Sequence, residues 1–103
     1  MLYREKQLAS NLIRSALAQG WTVTVVDDAF GCGEEVVINS TDFAQIFDSL
    51  DTTESDVLRF RDADGSKGWA VLIWGNDDDL ISDYSDSLTI DDEGRIVPEA
   101  VAA

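Results

Sequence analysis

The chain has no histidine, one cysteine and one proline, and its seven Lys and Arg residues are outnumbered three to one by 21 Asp and Glu. Each scarcity excludes something. Without histidine, the commonest general base and the usual zinc ligand are both missing. A lone cysteine cannot close an internal disulfide, so the fold does not depend on an oxidising compartment, and a cytoplasmic setting is expected. Cys32, between Gly31 and Gly33, lies in an acidic stretch that disfavours a reactive thiolate. No apolar run approaches the ~18 residues of a membrane span. The first residues, Met1 to Lys6, lead into an amphipathic pattern without the apolar block of an export signal.

Negative charge is abundant and unevenly spread. Residues 1–26 carry a balance of +2 and residues 27–103 one of −16, giving the net −14. Such a field repels nucleic acid and anionic membranes and favours basic proteins or cations as partners. At 103 residues the chain makes a single domain over 1–103, and 45% apolar content is enough for a core.

The pattern is organised around Gly68-Trp69-Ala70-Val71-Leu72-Ile73-Trp74-Gly75, six apolar residues between two glycines. Too short for a buried helix and rich in Trp, Val and Ile, it reads as a central strand covered on both faces, or at least over most of both. If only helices cover the sheet, one of the triplets Trp69, Val71, Ile73 and Ala70, Leu72, Trp74 needs the C-terminal segment or a second copy above it.

Around it, residues 2–19 read as a helix, with Leu8, Leu12 and Ala16 recurring every four residues and Gly20 at the left-handed stop. Residues 21–26 alternate as a strand, and 34–38 resume as its antiparallel neighbour across an acidic, glycine-bearing loop. Ser40, with Thr41 competing, caps a second helix of about ten residues, whose stripe is Phe43, Ile46, Phe47 and Leu50. Residues 57–61 pair with the 68–74 strand through a bend at Asp64-Gly65. Residues 80–84 read as a short edge strand or irregular edge in preference to a helix, because Ser82, Asp83, Ser85 and Asp86 are poor helix formers. Residues 88–90 and 95–97 bracket a terminal hairpin. The expected fold is α+β: an antiparallel sheet of four to six strands with two helices, in the order α-β-β-α-β-β, then a short C-terminal hairpin or edge element.

No constellation points to catalysis. Asp62, Asp64 and Gly65 begin like a calcium loop, but the sixth position is Lys67 where glycine is needed, and the twelfth is Ile73 where glutamate is needed. That segment reads as a turn. The densest acids, Asp77, Asp78, Asp79, Asp83, Asp86, Asp91, Asp92 and Glu93, read as a surface for a basic partner. If folded together they could also hold a divalent cation weakly. No cofactor is expected.

One arrangement is similar to something known. Residues 58–65, the run Trp69 to Trp74, then Gly75-Asn76-Asp77 and Ile81-Ser82-Asp83-Tyr84-Ser85 resemble small acidic proteins of bacterial genomes and mobile elements that carry no assigned activity. The resemblance implies that 75–85 is a defining local structure, and it implies no catalytic residue. Two functions follow as expectations. The first is a non-enzymatic module docking on a basic protein, in its sharpest form a mimic of nucleic-acid charge. The second is an accessory domain that pairs as a homodimer, with its acidity serving solubility.

Overall fold

The computed structural model describes residues 1–27 and 33–98. The order is α1 (Tyr3–Ala18), β1 (Thr22–Asp27), β2 (Glu34–Ser40), α2 (Phe43–Asp48), β3 (Ser55–Asp62), β4 (Gly65–Ile73), a 3₁₀ turn at Asp77–Asp79 and β5 (Ile81–Tyr84). The five strands form one antiparallel sheet ordered β2-β1-β3-β4-β5. The expected α+β architecture, with two helices and the strand reading of 80–84, is therefore what the chain adopts.

Local chemistry sets the boundaries. α1 ends in a Schellman motif: the Trp21 N–H donates to Ala16 O at 3.2 Å and the Gly20 N–H to Leu17 O at 3.0 Å, with Gly20 at φ 81°. The cap of α2 is Asp42, not Ser40, because its Oδ1 accepts from the Ala44 and Gln45 amides at 3.0 and 3.3 Å. Ser40 instead faces inward from β2, accepts from the Asp42 amide and donates to Gln45 Oε1. α2 has six residues where about ten are expected. The β3–β4 turn is Ala63-Asp64, one residue earlier than the expected bend, with Asp62 paired to Gly65. The hairpin loop between β1 and β2, including Cys32, falls mostly outside the described residues.

The core lies between the helices and one sheet face. Leu8, Leu12, Ile13 and Ala16 of α1 and Ile46 of α2 meet Val23, Val25, Leu58, Phe60, Ala70 and Leu72. Trp21 packs against this cluster, its ring 6.2 Å from that of Phe60. Burying this many aliphatic side chains, at about 1.5–3 kcal/mol each, is the dominant favourable contribution to folding.

Two expectations about 68–75 change here. β3, not β4, is the middle strand, and β4 lies one strand from the edge. Nor is β4 fully covered on both faces. Ala70 and Leu72 are fully buried, whereas Trp69 and Ile73 on the opposite face remain 38% and 36% exposed. The described C-terminal residues, up to 98, do not cover that face. They return as a single-bridge hairpin, Ile90 with Ile96, and pack on α1. There the Asn11 amide donates to Glu93 O at 2.9 Å, and Ser15 Oγ accepts from the Ile96 amide at 2.9 Å. Gly94 is buried so closely against α1 that a Cβ would stand 2.8 Å from Leu8 O.

Candidate functional site

The residue that organises the acidic end is Arg4, on the first turn of α1. Its Nε donates to Asp78 Oδ1 at 2.9 Å, its Nη1 to Glu93 Oε2 at 2.8 Å and its Nη2 to the Asp92 carbonyl at 3.0 Å. One planar guanidinium thus ties the 3₁₀ turn to the C-terminal hairpin, a use that suits the fork of an arginine. Glu93 and then Asp78, as hydrogen-bond acceptors, hold the Arg4 pKa above its ordinary value.

Beside this clamp is a groove of about 420 Å³. Leu8, Ile81, Tyr84 and Ile90 supply its apolar surface and Asp78, Asp91 and Asp92 its acidic rim, with Arg4 on the wall beside Asp78, so three carboxylates face one cation. Four of the eight sequence-predicted acids therefore come together: Asp78, Asp91 and Asp92 in the groove wall, and Glu93 on the clamp. Asp77 and Asp79 share the exposed 3₁₀ turn with Asp78. Asp91 is also structural, its Oδ1 accepting from the Glu93 and Arg95 amides at 2.9 and 3.0 Å. Asp83 and Asp86 do not join the groove. Asp83 pairs with Val71 across β4–β5, on the sheet face away from the helices, and its Oδ1 accepts from the Tyr84 amide. Asp86 is exposed in the turn after β5.

Two buried carboxylates outside the predicted set hold this end of the molecule in shape. Glu5 is buried on α1, and its Oε2 accepts from the Gly75 and Asn76 amides at 2.7 and 3.1 Å, while Oε1 accepts from the Leu2 amide at 2.9 Å. That fastens the helix start to the segment leading into the 3₁₀ turn, so the groove wall cannot drift from α1. Asp56 is 0% exposed, and its Oδ2 accepts from Trp74 Nε1 at 2.8 Å and the Asp51 amide at 3.0 Å. Its Oδ1 has no partner. Burial pushes the Asp56 pKa up, against the two hydrogen bonds, and the charges of Asp27 and Asp51 push the same way. A signal for both was present: Glu5 falls on the apolar stripe of α1, and Asp56 on the inward alternation of Leu58 and Phe60.

The other candidates resolve as turn chemistry. Asp62 Oδ1 accepts from the Asp64 amide at 2.8 Å, and Lys67 Nζ sits 3.0 Å from Asp62 Oδ2. The lysine, foremost among the causes, holds the Asp62 pKa down. Among the described residues no three His, Cys, Asp or Glu side chains are placed to hold a metal ion, and no helix is long and apolar enough to cross a membrane. Comparison with protein-family models, curated proteins and solved structures finds no match for this chain.

Proposed function

We propose that this chain is a non-enzymatic, cytoplasmic protein-binding module, and that its acid-rimmed groove docks a basic segment of a partner protein. The observation that carries the reading is the convergence of Asp78 with Asp91 and Asp92 around an apolar surface. A lysine or arginine side chain has a matching form, an apolar stem with a charged head, so it could lie over Ile81 and Ile90 and present its charge to the rim. The net −14 steers basic partners towards the molecule and raises their association rate. In the sharpest version the partner is a nucleic-acid-binding protein whose basic surface the carboxylates occupy.

The test is a titration with a lysine- and arginine-rich nucleic-acid-binding domain, read by calorimetry at low salt and at about 0.5 M salt. The complex is expected at low salt and weakened at high salt. Asp78→Asn with Asp92→Asn is expected to weaken it about tenfold. No complex at low salt, or one indifferent to both substitutions, rejects the groove. The uncovered sheet face favours a second reading, the accessory homodimer.

A further inference from the structure

We propose that the exposed β3–β4–β5 part of the outer sheet face joins two copies of this chain, face to face about a two-fold axis, with their strands crossing near a right angle. This deepens the homodimer reading and is independent of the groove.

The face has a specific charge pattern. By register its exposed part carries Val57 and Arg59 of β3 and Trp69 and Val71 of β4, with Arg61 further along β3, while Thr24 and Val26 of β1 on the same face are already buried. Those three strands place no carboxylate on this face. Among the described strand residues its acids stand at the two margins, Glu35 opposite Val26 on β2 and Asp83 opposite Val71 on β5. Two copies each carrying −14 repel, and this face, apolar with a cationic middle, lets them approach without setting carboxylate against carboxylate. Among the described residues Arg59 and Arg61 make no ion pair, although acids outnumber bases three to one.

The pattern also selects the crossing angle. Strands lie about 4.8 Å apart, so Asp83, two strands from Val57, stands about 10 Å to its side. At a rise of about 3.4 Å per residue, Arg59 and Arg61 stand about 7 and 14 Å from Val57 along β3. A two-fold axis in the interface, set midway between the strand direction and the cross-strand row, lays the row of one copy along β3 of the other. Asp83 of one copy then falls between Arg59 and Arg61 of the other, twice by symmetry. The same operation brings the two Trp69 side chains together near the axis. Aligned packing, at about −30°, would set arginine over arginine about an axis along β3, or Asp83 over Asp83 about an axis along the Val57 row, so charge favours the orthogonal class. With β1 already covered, the strip across β3, β4 and β5, about 20 Å by 15 Å, offers roughly 300 Å², well under half the ~800 Å² per partner of a standard interface, so the dimer is weak and dissociates on dilution.

Sedimentation equilibrium up to about 1 mM protein, in about 0.15 M salt, reads it directly. Wild type is expected to dimerise and Val71→Lys to remain monomeric. Asp83→Arg should weaken the dimer about tenfold, and adding Arg59→Asp and Arg61→Asp to it should restore association. These three side chains are exposed, so the swap leaves the core intact. A monomer throughout rejects both the interface and the homodimer. A dimer indifferent to Val71→Lys, or not rescued by the swap, rejects this interface while leaving a homodimer built elsewhere.

Discussion

Asp56 occupies the inward register of Leu58 and Phe60, where an apolar side chain would be the default, and it keeps one oxygen without a partner. Its two donors, Trp74 Nε1 and the Asp51 amide, both reach Oδ2. Because its folded pKa is raised, chiefly by burial, the ionised form costs the folded state more than the unfolded one. The penalty is present above the folded pKa and is relieved as pH falls through it towards the unfolded ~3.9. Asp56→Asn keeps an acceptor for both donors and removes the charge. It should stabilise the protein at pH 7 by about 1 kcal/mol in urea unfolding and abolish part of the gain seen on mild acidification. A less stable variant at pH 7 would mean that the charge strengthens the Trp74 bond by more than its desolvation costs, or that the buried carboxamide N–H groups replacing the unpartnered Oδ1 cost more than the charge did. Asp62 has the opposite sign, since Lys67 lowers its pKa and its contribution is lost on acidification, but exposure to solvent keeps it small.

At the scale of elements, the molecule depends on how α1 is tied to chain that arrives much later. Glu5 receives three amides from Leu2, Gly75 and Asn76, while Arg4 holds Asp78 and Glu93. The two ties differ in weight. Arg4 pairs with exposed carboxylates and is worth little, whereas Glu5 is buried and charge-assisted. Glu5→Ala should therefore cost about 3 kcal/mol in urea unfolding, with Arg4→Ala costing far less. Hydrogen exchange at Gly75 and Asn76 should accelerate in the first variant and not in the second. Equal losses would show that the clamp, not the buried carboxylate, fastens α1. Helix and strand placement was legible from apolar periodicity, as with Leu8, Leu12 and Ala16. These two ties were not, because each joins residues some seventy or more positions apart.

For the whole molecule, a net −14 on 103 residues makes self-repulsion a standing cost of compactness. Raising salt from about 0.01 to 0.5 M screens it and should raise the melting temperature by about 5 °C. A basic-partner complex should weaken over the same range, so the two responses have opposite signs. The molecule has two unlike surfaces, an acid-rimmed groove beside α1 and an apolar, arginine-bearing sheet face behind it. A domain built this way could bind a basic protein at one end while pairing through the other.

What the sequence determined by itself is local: which stretches bury a face, where Gly20 stops the helix, and that three-quarters of the chain is strongly acidic. Periodicity and backbone sterics act over a few residues, so they can be read in order along the chain. Only the tertiary structure decided that β3 is the centre of the sheet, that Trp69 and Ile73 face outward, and that Asp78 meets Asp91 and Asp92. The reason is physical. Strand order and the return of the C-terminal hairpin onto α1 depend on which faces can be desolvated together, and that balance belongs to the assembled core.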